Sequence, residues 1–369
     1  MAVLRILVAV AALGGVVAVL LSVVRSVVLP RGVPARLARL TFLLVRIGLL
    51  IRLRLRGRAD YRTRDRVLAF EAPLGLFAQL VGWALPIYVG FAALFWAVGD
   101  PHGSAEPVPR ALELAGSSML TLGTDGPHGL VAHLVAFAAA GVGLTLLALV
   151  ITYLPSVYSA FSRREAAIAK LVVRVGSRPT GPALLQRSWL LGRFDQLEEV
   201  WDGWEDWFVE VSESHTTFPQ LVFFRSPHPE NHWVLSAEAV LDGAALLMTA
   251  CDAPRQSRSE LCLDAGVQAL VKIADYLRIP HRPPSDEVTI VLAREQFTDA
   301  LRALERAGIP VREGWDEAWQ RFSALRARYE SLIAVLGRMT DAPRSDWSSW
   351  TDQTPRHSPP LIRIHNHGG

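Results

Sequence analysis

The chain has 369 residues, 51% of them apolar, with 38 Lys and Arg against 35 Asp and Glu. Soluble domains approach that apolar share too, so distribution rather than average sets the class: nearly all long uncharged runs fall before residue 163, and charge and Trp dominate afterwards. Two cysteines, Cys251 and Cys262, exclude a disulfide framework and match no zinc spacing, which leaves buried thiols as the expectation.

In chain order, Ile6–Val24 is the first run long enough to span a bilayer, which takes about 20 apolar residues. Its length, the lack of a small-x-small cleavage site and the basic region that follows predict an uncleaved signal anchor within residues 1–29. Residues 30–68 form a basic segment in which 31–66 carry eleven Arg against Asp60 and Asp65. Within it, residues 34–50 read as an amphipathic helix. One reading lays it at the headgroups with Arg36, Arg39 and Arg46 toward anionic lipid; the other makes it a connector whose charges hold it inside. Further spans are predicted at 72–98 and 130–154.

Residues 99–129 hold Asp100, Glu106, Glu113 and Asp125 against Arg110, while 155–187 carry six basic residues and one acid. The positive-inside rule then puts the N-terminus outside and the C-terminal half in the cytoplasm of an inner-membrane, multi-pass protein. The formal charge of +3 reflects that topology rather than nucleic-acid binding.

The segment joining spans two and three starts with prolines suited to a helix N-terminus. A helix-forming stretch to about Met119 follows, then "TLGTDG". Ten to twelve helical residues rise only about 15–18 Å, half a bilayer, which suits a re-entrant helix. Irregular backbone at that depth must line protein or water, and a permeating cation needs carbonyl and hydroxyl oxygens there. Acids at 100, 106 and 113 would concentrate cations at the mouth. Gly141 and Gly143 are candidates for a gating bend, with helix packing as the competing reading. Pro155 is expected to end the third span's helix.

In the soluble half, "GSRPTGP" at 176–182 lacks the Lys and Ser/Thr of a phosphate loop. Trp201, Trp204 and Trp207 read as the buried stripe of an amphipathic helix, and Trp319, Phe322, Leu325, Tyr329, Leu332 and Leu336 as a second such face. His215, His228 and His232 stand at no metal-ligand spacing and are expected at the surface or in caps. No GxSxG, HExxH or strand-borne GxGxxG is present, and no enzyme and no cofactor are expected. Residues 161–340 read as a helical cytoplasmic domain and 341–369 as a disordered tail.

"SSMLTLGTDG", flanked by spans, resembles the pore-helix end and filter of potassium channels. The chain over residues 1–312 resembles a bacterial potassium-channel-like membrane family with a two-pore-domain-type pore loop. "VVLPRGV", "ALVITYLPSVYSAFSRREAAIAKL" and "ESHTTFPQLVFFRSPHPENHWVLSAEAVLD" carry that resemblance beyond the loop. It implies an α-helical membrane protein: a signal-anchor helix, a span–pore helix–span channel module over 69–160 with pore helix and filter at 108–126, and the helical domain. Ser117 and Ser118 would end the pore helix, and Thr121, Leu122, Gly123 and Thr124 would form the filter. Asp125 stands where the family has a second glycine, so the resemblance does not fix ion preference. One such loop per chain implies a homotetramer conducting a monovalent cation, with potassium first, and a cytoplasmic domain that regulates it through an unknown ligand or assembles it. The rival reading is a nonconducting anchor or signalling receptor whose soluble domain binds a partner.

Overall fold

The computed structural model describes residues 2–27, 36–55, 57, 60–99, 107–124, 126–228, 230–253, 257–280, 290–344 and 347. Among these there is no strand, only an isolated antiparallel bridge between Cys251 and Val311. The chain divides into two compact units, residues 1–48 with 73–158, and residues 49–72 with 159–369.

The first unit is built from α1 (Ala2–Val27), most of α2 (Arg36–Leu55), α4 (Glu71–Val98), α5 (Pro107–Met119) and the first part of α6 (Leu130–Val175). Its small core joins Val16 of α1, Ile87, Phe91 and Phe95 of α4, Ala111 and Ala115 of α5, and Ala139 of α6. Alanine and glycine at the crossings let the backbones approach. A Cβ on Gly90 would sit 2.5 Å from the Val16 side chain, and one on Gly82 2.7 Å from Thr41. Outward, α1, α4 and α6 carry exposed Leu, Val, Ile and Phe throughout. Such a surface has no favourable solvent except lipid.

α6 runs 46 residues without a break, about 70 Å at 1.5 Å per residue. The expectation that Pro155 ends it is therefore wrong. Proline removes one backbone donor and costs about 3 kcal/mol inside a helix. Beyond it, however, Ile168 and Leu171 are fully buried in the second unit's core. Each such burial contributes about 1.5–3 kcal/mol, which outweighs the proline.

The second unit contains α3 (Tyr61–Leu68), the rest of α6, α7 (Gly181–Leu190), α8 (Leu197–Thr217), a 3-10 turn (Pro219–Phe223), α9 (Trp233–Ala250), α10 (Ser257–Leu277), α11 (Arg294–Arg306), α12 (Trp315–Ala327) and α13 (Glu330–Met339). α9 is its axis, contacted by α7, α8, α10, α12 and α13. Trp201, Trp204 and Trp207 are buried, as the stripe reading expects, and Cys251 and Cys262 are buried free thiols. The late apolar face is split between two helices: residues 328 and 329 form a turn between α12 and α13. That turn lets Arg326, Tyr329 and Glu330 all reach inward. Arg326 bonds Asp242 (2.6 Å), Glu238 (3.2 Å) and Glu330 (2.8 Å), and the Tyr329 hydroxyl donates to Asp242 (2.6 Å). Ala342 and Trp347 are also buried. Folded structure thus reaches into the stretch expected as a tail, whose remaining residues from 348 lie outside the described ones.

Candidate functional site

α5 is 13 residues long, about 20 Å, too short to cross a hydrocarbon layer of about 30 Å. Pro107 and Pro109 occupy its first turn, where the missing N–H groups cost nothing. Ala111 and Ala115, one turn apart, are its buried residues. Tyr88 of α4 steadies it: the hydroxyl donates to the Leu112 carbonyl (3.1 Å), and the ring lies against Gly116.

The helix ends in a paired-bond cap. Thr121 N–H donates to Ser118 O (3.2 Å) and Leu122 N–H to Ser117 O (2.9 Å), the Schellman pattern with Thr121 in the left-handed position. Its φ is +53°. Glycine normally fills that place; a β-branched residue there is unusual and costs about 1–2 kcal/mol. Two residues on, Gly123 is also left-handed, with φ +70°. The Ser117 hydroxyl then accepts from Thr124 N–H (3.1 Å), so one serine both ends the helix and ties down the loop. Residues 121–124 are exposed, Leu122 by 65%, an uncommon setting for a leucine in a turn.

The sequence-predicted residues meet different fates. Ser117, Ser118 and Thr121–Thr124 share this one turn. Glu113 is paired with Arg110 at 3.1 Å, so its charge is locally offset. Asp100, Glu106 and Asp125 lie outside the described residues. Gly143 packs against the loop, because a Cβ there would overlap the carbonyl of Met119, the last residue of α5. Gly141 has open space, and its carbonyl accepts the Thr145 hydroxyl (2.8 Å). α6 passes through both glycines as continuous helix.

Sequence reasoning missed a second set of residues, in "SHTTFPQLVFFRSPHPENHW". Arg164 of α6 is buried and donates to Leu221 O (2.7 Å) and Phe224 O (2.8 Å), with His215 Nε2 3.2 Å away. Arg225 bonds Asp65 of α3 (2.5 Å) and Thr340 O (2.7 Å), while Arg64 pairs with Asp341. The segment around residues 219–226 thus holds both α6 and α3 within the second unit. His215 is buried rather than superficial, while His232 caps α9 by accepting from Val234 N–H (3.2 Å). Burial, then the neighbouring arginines, hold both imidazoles well below 6.5, and therefore neutral. The one local hint was Arg225 directly after Phe223 and Phe224; Arg164, between Arg163 and Glu165, gives none. The ionic group around Arg326 was missed too. No member of it is more than 5% exposed, so it acts as a clamp rather than a place for substrate.

Helices of membrane length with outward-facing apolar side chains, joined by a short helix and a strained polar turn, define an α-helical membrane protein. The chain is similar to the uncharacterized membrane protein YdjJ of Bacillus subtilis (strain 168), with 27% identity over 188 residues, 48% of this chain. The chain spans about half of that relative's length, 53%. No family model and no solved structure matches.

Proposed function

We propose that the chain is an inner-membrane cation channel whose permeant ion is potassium, conducting passively through a homotetrameric ring of Thr121–Thr124 oxygens. The observation that carries this reading is the left-handed, strained Thr121 at the end of a half-length helix between two membrane-length helices. Strain of that kind persists where the surroundings enforce it and clusters at working sites. A left-handed Gly123 two residues on gives the backbone the freedom a ring of inward carbonyls needs. The exposed Leu122 supports assembly, since neighbouring copies would cover it. In this reading the second unit is cytoplasmic and regulates or assembles the pore.

The test is potassium flux into vesicles holding the purified full-length protein, with reversal potentials in mixed sodium and potassium. Gly123→Ala should abolish flux through backbone conformation, because space around that position is open. Thr121→Gly should relieve strain of about 1–2 kcal/mol, raising thermal stability, yet lose conduction with the hydroxyl. Asp125→Gly should change ion preference without changing assembly. An intact tetramer with no flux under any voltage or pH would overturn the channel and favour the anchor or receptor reading.

A further inference from the structure

α2 carries two unlike faces. Thr41 and Leu49 are buried, and Phe42 presses on α4 at Gly75, where a Cβ would overlap its ring; Thr41 packs at Gly82. Gly75 and Gly82 are seven residues apart, two turns of one α4 face. Away from that contact, Leu40, Leu44, Ile47 and Ile51 are each 43–60% exposed. At 100° per residue they fall within about 60° of one another, a continuous apolar stripe. The helix closes on Arg52 and Arg54 in its last turn, both exposed, and α2 contains no acid.

We infer that this stripe is a binding face for anionic phospholipid, with Leu40, Leu44, Ile47 and Ile51 in the acyl region and Arg52 and Arg54 at the headgroups. Two observations select lipid over other occupants. The level of α4 that α2 contacts, between Gly75 and Gly82, is one where α4 itself exposes Leu74, Phe77 and Val81, side chains of a membrane-length helix that face lipid. And the charges that α2 itself carries are all basic, complementary to phosphatidylglycerol or similar headgroups. Arginine stems reach from an apolar layer to its polar edge, and the helix's negative end favours them there. The inference is independent of whether the pore conducts.

Both native cysteines are buried, so single labels report cleanly. Full-length L44C, I47C and I51C, each carrying an environment-sensitive fluorophore, would be reconstituted in phosphatidylcholine vesicles with and without phosphatidylglycerol. An E317C label, on a side chain 68% exposed, serves as the water-facing control. Brominated phospholipid should quench the three stripe labels, and iodide should reach only the control. Brominated phosphatidylglycerol should quench more than brominated phosphatidylcholine, and R52Q/R54Q should reduce that preference about fivefold per arginine. Iodide quenching of the stripe labels would overturn the inference. So would protection from both quenchers, which would mean that protein, such as a second copy, covers the stripe. An unchanged lipid preference in R52Q/R54Q would overturn the anionic part, because the arginines would then add nothing.

Discussion

α1, α4, α6 and α9 all pass the same test of length and hydropathy, and their fates are opposite. In the most apolar windows of the first three helical stretches, 11%, 28% and 6% of residues are buried; in α9 the share is 94%. α9 is not a fourth span in this fold but the axis of a soluble-type core. Hydropathy measures what a helix carries, and the rest of the chain decides what covers it. α9 holds two acids, Glu238 and Asp242, that would each cost about 3 kcal/mol at a bilayer centre. Here Arg326 pairs both. Its cover comes from helices that offer their own apolar faces, as α8 does with Trp201, Trp204 and Trp207. α1 and α6 have no such wrapping over most of their length, and their leucines stay outward.

The sharpest way to break this contrast is Arg326→Met. Three carboxylates would be left buried without their cation, a loss of about 3–5 kcal/mol. Thermal unfolding of the detergent-solubilised chain should show an early loss of near-ultraviolet signal from the Trp-rich unit, while the helicity of α1 and α4 persists. If stability is unchanged, the ionic clamp does not keep α9 inside.

Steric fit distinguishes the helices next. Gly143→Val should cost about 1–3 kcal/mol through overlap with the Met119 carbonyl. Gly141→Ala, in open space, should stabilise by about 0.5–1 kcal/mol. Equal effects on thermal stability would mean that α5 does not rest on α6 as described.

Acid should divide the two units as well. His215 and His232 are held neutral in the folded state, whereas the unfolded chain takes up protons near 6.5. Stability from each is complete above about pH 6.5 and falls as pH drops below it, with a slope approaching 1.4 kcal/mol per unit, roughly, for each histidine. His232→Asn keeps a capping side chain and should flatten the profile by about half. A pH-independent melting temperature between pH 5 and 7 would show that the histidines are not buried neutral.

The parts legible in the sequence are those written in local composition. Continuous apolar runs marked α1, α4 and α6, and prolines at 107 and 109 marked the start of α5. The burial of the Trp201–Trp204–Trp207 stripe followed from its spacing. What escaped depends on distant partners. Pro155 looks like a helix end until Ile168 and Leu171 find their core. The α12–α13 break is invisible because Trp319 to Leu336 keeps helical spacing across it, and only the reach of Tyr329 to Asp242 explains the turn. His215 shows no sign of Arg164, 51 positions away. At the candidate site, the motif drew Ser117 and Thr121–Thr124 into one stretch. The left-handed conformation of Thr121 was not legible, since threonine is among the residues least expected there. "GSRPTGP" lacks the residues of a phosphate loop, and the fold shows its use: Gly181 lies against Asp242 and Gly243 of α9, where no side chain fits.

Within the second unit, α6 is held at Arg164 by two carbonyls and, seven residues on, at Leu171 by the core. Seven residues bring a helix back to within about 20°, so both side chains face the same way. One residue inserted between them would turn Leu171 away from its core by about 100°. The spacing between these positions is thus as much a part of the protein as the residues themselves, a constraint of count rather than of chemistry.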